Sequence, residues 1–186
     1  MTDRLPLSTD DLCLRVFDLW TNRWLVLTAG DFRAGHYNAM TVAWGSFGQM
    51  WEKPFVQVVV RPSRYTYGFM ERYPSFTLCA FPEEYRPALQ LLGSMSGRDG
   101  NKIAAAGLTP QSSQVVAAPC FVEAELVIEC RKMYWDDLAP EHFGDAEIAS
   151  LYPRGDYHRV YFGEILAVTA SPGYRHSHTP DQRKSK

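Results

Sequence analysis

The run 121–131, FVEAELVIECR, alternates residue by residue. On an extended chain Val122, Ala124, Leu126, Ile128 and Cys130 point one way, and Glu123, Glu125 and Glu129 the other. A period of two with apolar and charged faces is the pattern of a half-buried antiparallel strand. Such a strand needs a sheet around it, and the chain supplies one. The runs 23–29, 37–44, 55–61, 75–81 and 157–168 are β-prone and bounded mostly by Gly, Pro or Asp. Gly45 and Gly48 are expected to close the second, Pro54 and Pro62 flank the third, and Gly163 predicts a bulge or bend in the last.

Helical signals are fewer and shorter. Ser63 is expected to cap a helix whose Tyr65, Phe69 and Met70 share one face and which ends at Pro74. A short helix over 88–92 starts behind Pro87 and is expected to stop at Gly93. A Gly/Ser loop, 94–100, leads to a helix over 101–106 ended by Gly107, and residues 140–151 read as another short helix. The alternation is too irregular for a doubly wound sheet. The expected fold is mainly β with helical insertions, a closed or nearly closed barrel.

The 186 residues suit one domain, at about 100–200 residues each. We expect that domain over 1–170 and a disordered basic tail over 171–186, which carries the His176-x-His178 pair. The 19 basic and 21 acidic residues leave a net charge of −2, which argues against nucleic acid or anionic membrane as the main partner. The N-terminal MTDRLPLSTDD has no basic, then apolar leader pattern. The longest apolar run, 115–122, is interrupted by Pro119 and falls far short of the roughly 20 residues of a membrane span. Cys13, Cys79, Cys120 and Cys130 form no C-x-x-C pair. Cys79 and Cys130 lie in apolar runs, so we read them as small core residues in a reduced, cytoplasmic protein with no metal site.

Four clusters could carry chemistry. Arg61-Pro62-Ser63-Arg64-Tyr65-Thr66 sets two guanidiniums and two small hydroxyls where a strand hands over to a helix. That suits a phosphate, since a helix start offers free N–H groups and arginine offers planar charged donors. An ordinary capped helix with solvated arginines is the alternative. In Asn38-Ala39-Met40-Thr41 with Trp44, an amide beside an apolar face suits the edge of a heterocycle, or is a strand end with a buried Trp. Ser96-Gly97-Arg98-Asp99 with Lys102 is either a loop that closes over an anion or a solvated loop. In Asp156-Tyr157-His158-Arg159, His158 either orients a substrate or is a satisfied structural histidine. No G-x-G-x-x-G, P-loop, G-x-S-x-G or H-E-x-x-H motif is present.

Taken in order, NAMTVAWG (38–45), WEKP (51–54), RPSRYT (61–66), SFTL (75–78), LLGSMSGRD (91–99) with Lys102, and DYHRVYFGEI (156–165) resemble the flavin reductase-like, flavoredoxin-type family. The resemblance runs from about Arg23 to Ala170. It implies the FMN-binding split barrel, a homodimer, and one FMN per subunit near the interface. By similarity Asn38, Met40 and Thr41 lie along the ring. Arg61, Ser63, Arg64 and Thr66 surround the ribityl chain and phosphate, and Ser96 and Lys102 add contacts from the loop. His158 and Tyr157 stand near the open face of the ring, with His158 a substrate-side contact. Trp44 and Trp51 look like wall or interface residues, and Lys53 suits either role. The implied activity is hydride transfer from NAD(P)H to flavin, with an electron acceptor left unidentified. A flavoredoxin-type carrier with tightly held FMN is the alternative. A split-barrel protein holding another ligand, or none, is a third.

Overall fold

The computed structural model describes residues 3–176. In chain order the elements are β1 (Leu5–Pro6), α1 (Val16–Asp18) running into a π-helical turn at Leu19–Arg23, β2 (Leu25–Asp31), β3 (His36–Val42), β4 (Gly45–Met50) and β5 (Lys53–Val60). There follow α2 (Tyr65–Arg72), β6 (Ser75–Ala80), α3 (Arg86–Ser94), α4 (Lys102–Ala105), β7 (Pro110–Gln111), β8 (Cys120–Phe121), β9 (Leu126–Asp137), α5 (Ala146–Ser150) and β10 (Arg159–Ala170). The main sheet has the order β3-β2-β6-β9-β10-β5-β4, with β1 added beside β10, and its pairings are antiparallel. Its two edges, β3 and β4, are joined by Ala43 and Trp44 alone. This is the mainly β split barrel with helical insertions that the sequence led us to expect.

The barrel interior is filled by Leu25, Leu27, Val56, Val58, Phe76, Leu78, Ile128 and Tyr161. A second apolar cluster lies on the opposite faces of β2, β6 and β9. There Val26, Cys79 and Val127 meet Leu89, Leu92, Ile103 and Phe121. Those three strands are therefore buried on both sides, under α3, α4 and the β7–β8 ribbon.

This layer corrects the opening expectation. The run 121–131 is not one strand with a solvated acidic face. It breaks between β8 and β9, and Glu129 is only 2% exposed. The Glu129 carboxylate accepts from the backbone N–H groups of Gln114 and Val115, at 2.8 and 2.7 Å, and so pins the loop that covers it. Glu123 accepts from the Thr109 N–H in the same way.

Other boundaries move for local reasons. Gly45 and Gly48 do not close a strand; they lie within β4. A Cβ at Gly45 would stand 2.4 Å from the Gln57 carbonyl oxygen and 2.6 Å from the Trp20 ring, so close approach selects glycine there. Gly93 lies inside α3 rather than ending it. Ser63 is not the cap of α2: the N-cap position is Arg64, with no side-chain cap, and the Ser63 hydroxyl turns away to Asp156. Residues 140–151 hold a 3-10 turn at Pro140–His142 and then α5, not one helix. The bulge at Gly163 is present, with the β9–β10 register shifting between Phe162 and Gly163. The segment Ser171–His176 folds back on the N-terminal residues, where the Cys13 N–H donates to the Tyr174 carbonyl. His178 and the rest of the basic tail lie outside the described residues.

Candidate functional site: a cationic cavity beside an aromatic one

Two cavities meet at Met40 and Arg64, beside the corner where β3 turns into β4. The first, about 140 Å³, lies between the start of α2 and the end of α3. Ser63, Arg64, Tyr65, Thr66, Ser94, Ser96, Gly97, Arg98 and Lys102 line it, and no carboxylate does. The second, about 200 Å³, is lined by Met40–Ala43, Trp44, Val59, Arg61, Arg64 and His158.

Lys102 decides the character of the first cavity. The residue is 4% exposed, and Nζ donates to the carbonyls of Leu92 and Met95 at 2.8 and 3.1 Å. An ammonium has three protons, so one remains for whatever fills the cavity. Burial, with Arg64 nearby, lowers the Lys102 pKa to about 8. A buried cation so placed is stabilised by an anion beside it.

The other donors converge on the same space. Thr66 Oγ1 accepts from Asn38 Nδ2 at 2.7 Å, which frees its own proton to donate elsewhere. The start of α2 has no side-chain cap, so its first N–H groups and its dipole face this end of the molecule. Arg98 reaches across to the Ser63 carbonyl and lies over the Tyr65 ring, at 5.0 Å from its centroid. A Cβ at Gly97 would stand 2.3 Å from Asn38 Oδ1 and 2.7 Å from Tyr65 Cδ1, so the loop closes only with glycine there.

The second cavity sets the apolar side chains of Met40, Val42, Ala43 and Val59 against an indole, an imidazole and the guanidiniums of Arg61 and Arg64. Trp44 is half exposed at its mouth, with its ring centroid 5.1 Å from that of His158. His158 is 9% exposed, and its Nδ1 lies 2.7 Å from the Tyr152 hydroxyl. Burial foremost, and then Arg61, lower its pKa to about 4, so the ring is neutral at ordinary pH. Arg61 spans the rim. It pairs with Asp156 at 3.0 Å, donates to the Leu151 carbonyl at 2.9 Å and lies over the Tyr152 ring. Ser63 donates to the other Asp156 oxygen at 2.8 Å. The Ser63 hydrogen bond, with Arg61 beside it, holds the Asp156 carboxyl below the usual range.

The residues singled out from sequence thus fall into groups. Met40, Thr41, Arg61, Arg64 and His158 line the ring-sized cavity, and Met40, Ser63, Arg64, Thr66, Ser96 and Lys102 line the cationic one. Asn38 lines neither: it is buried behind Thr66 and orients its hydroxyl. Tyr157 packs at a tilt against Phe143 and Tyr152 and does not line either cavity. Trp51 and Lys53 lie away from both cavities, with Lys53 paired to Glu164. Sequence reading missed Tyr152, because nothing in LYPRGDYH (151–158) marks a tyrosine six residues before the histidine as its partner. A larger cavity, about 370 Å³, lies between Asp31–Arg33 and residues 112–117, but it gathers no comparable set of donors. Among the described residues, no cluster of His, Cys, Asp and Glu could hold a metal ion, and no helix is long and apolar enough to cross a membrane.

Solved structures share this architecture. An FMN-binding domain of a flavin reductases-like enzyme from Shewanella baltica OS155 superposes with a TM-score of 0.67 at 16% identity, covering 94% of this chain and 83% of that one. Flavoredoxin of Desulfovibrio vulgaris (Miyazaki F) gives 0.63 at 21% identity, covering 91% and 78%. An NADH:FAD oxidoreductase of Streptomyces globisporus C-1027 gives 0.61 at 16% identity, covering 81% and 76%. No curated protein matches the chain. The sequence pattern of the flavin reductase like domain matches residues 20–179, which takes in every strand of the barrel except β1 and both cavities. The chain belongs to the flavin reductase like domain family, whose flavin is the kind of group a cationic pocket beside a slot walled by an indole and an imidazole fits.

Proposed function

We propose that the protein is an FMN-binding oxidoreductase that takes hydride from NAD(P)H. The observation that carries this reading is the joined pair of cavities, one with three cations and hydroxyls but no carboxylate, the other with an indole and an imidazole in its wall. Lys102, Arg64, Arg98, Thr66 and Ser96 hold the phosphate end, with Ser63 bracing that rim through its hydrogen bond to Asp156, and Met40, Thr41 and Trp44 wall the ring. When bound, FMN supplies the redox chemistry by accepting a hydride and passing electrons on. The chain's own part is positioning and electrostatics. Arg64, which borders both cavities, favours negative charge on either side of it, and His158 meets the substrate on the open side. No obligatory side-chain acid or base is needed.

The working unit is a homodimer in the reduced cytoplasm. Exposed Trp51, Trp135 and Tyr134 support the first. For the second, Cys79, Cys120 and Cys130 are buried free thiols, and burial raises their pKa. A flavoredoxin-type carrier is the second reading. It is favoured by the loop closure at Gly97 and Arg98, which would slow FMN release.

Anaerobic stopped-flow mixing of the FMN-loaded protein with NADH and with NADPH tests the proposal. Bleaching of the flavin band with either donor is expected; no bleaching with both removes the reductase reading. Fast reduction only by a protein donor, with FMN retained throughout, selects the carrier.

A further inference from the structure

We propose that Tyr152 is a positioning residue that fixes the tautomer of His158, so that the cavity is offered an Nε2–H donor rather than a bare ring nitrogen. The proposal rests on the reading of His158 as the substrate-side contact. Its physical content is separate, since it concerns the protein before any ligand binds.

Three observations lead to it. The first is that His158 is buried and neutral, so its ring carries one proton and only one nitrogen can donate. The second is the 2.7 Å contact between Nδ1 and the Tyr152 hydroxyl. Tyr152 is 5% exposed, and burial raises its pKa, so it is a phenol with a proton to place. Among the described residues Nδ1 is the acceptor within reach of that proton. The reverse arrangement, with Nδ1–H donating to the phenol oxygen, would leave the phenol proton buried without a partner. The hydroxyl therefore donates, Nδ1 accepts, and the ring proton sits on Nε2.

The third observation is what holds Tyr152 in place. Arg61 lies over its ring face at 4.7 Å, and Tyr157 and Phe143 pack against its ring. Arg61 is itself fixed by Asp156 and by the Leu151 carbonyl. His158 is tied from its backbone as well, where its carbonyl accepts from the Leu138 N–H at 3.0 Å. Among the described residues Nε2 has no such partner, and His158 lines the cavity beside Trp44. A neutral N–H donor next to an indole selects a flat ligand that carries a carbonyl acceptor. It disfavours one that presents only donors there.

The test begins with the ligand-free protein, labelled with 15N-histidine, at neutral pH. Long-range 1H–15N correlations are assigned to His158 by their loss in His158→Gln. We expect a protonated Nε2 and an unprotonated Nδ1 in the wild type, and a mixture of tautomers in Tyr152→Phe. A wild type protonated at Nδ1 overturns the proposal whether or not Tyr152→Phe folds. So does a Tyr152→Phe spectrum in which the Nε2–H form persists undiluted. In turnover, Tyr152→Phe is expected to raise KM for NADH about threefold to tenfold, the scale of one neutral hydrogen bond, with kcat and FMN affinity held within about twofold. An unchanged KM alongside intact FMN binding overturns the ligand-facing role. Failure of the wild type to bind FMN would instead strike the proposed function, while the NMR result would still decide the tautomer.

Discussion

Lys102 shows how a single burial sets a binding preference. A lysine at 4% exposure, with two carbonyls as partners and its pKa near 8, is uncomfortable until an anion arrives. Between pH 8 and the ordinary lysine range the unfolded chain holds a proton that the native protein does not. The ligand-free protein should therefore gain stability as pH rises through that window. Anion binding runs the other way. It restores the ammonium, so above about pH 8 binding takes up a proton and Kd for FMN rises, at most about tenfold per pH unit. Calorimetry in buffers of different ionisation enthalpy would read the proton uptake; its absence at pH 9 would remove Lys102 from the phosphate site. Lys102→Met should weaken FMN about ten- to hundredfold, the scale of a charge-assisted hydrogen bond. Thr66→Ala should weaken it less, and Arg175→Ala, remote from both cavities, should leave it unchanged. Equal affinities across the three variants, by fluorescence titration, would refute the placement. Lys102 was visible in the sequence as the cation after LLGSMSGRD (91–99), and Thr66 as part of RPSRYT (61–66). Their burial was not, because it depends on α3 lying across the end of α2's cavity.

At the scale of elements, the local pattern placed β2 and β6, which are covered on both faces, but misread the covered acidic face of β9. The carboxylate of Glu129 looked solvated because Glu123, Glu125 and Glu129 fall on one face of its run. It is buried because β7, β8 and the loop before β8 lie over it, and no local pattern announces a lid brought from elsewhere in the chain. The hairpin β4–β5 was missed for the opposite reason. Gly45 and Gly48 read as strand breakers, yet at Gly45 the Trp20 ring and the Gln57 carbonyl leave no room for a side chain. Gly45→Ala should therefore destabilise the protein by about 1–3 kcal/mol through overpacking. Equilibrium urea unfolding would measure it, and a midpoint equal to the wild type would show that the hairpin has slack there.

For the whole molecule, the resemblance read from ordered short motifs gave the barrel, while the dimer has to be tested. Trp51, Tyr134 and Phe162 form one aromatic cluster on the outer face of β9, β10 and the β4–β5 turn, and Trp51 is 55% exposed. Trp51→Arg is expected to convert a dimer to a monomer by light scattering at micromolar concentration. A wild-type monomer under the same conditions would refute the dimer, and a dimer that survives the substitution would move its interface elsewhere. The seam of the barrel has a longer reach. Because β3 pairs with β2 alone among the described residues, the main-chain groups along its other edge have no strand partner there, and residues 40–43 of that segment wall the second cavity. A ligand read by peptide groups places little demand on which side chains those residues carry.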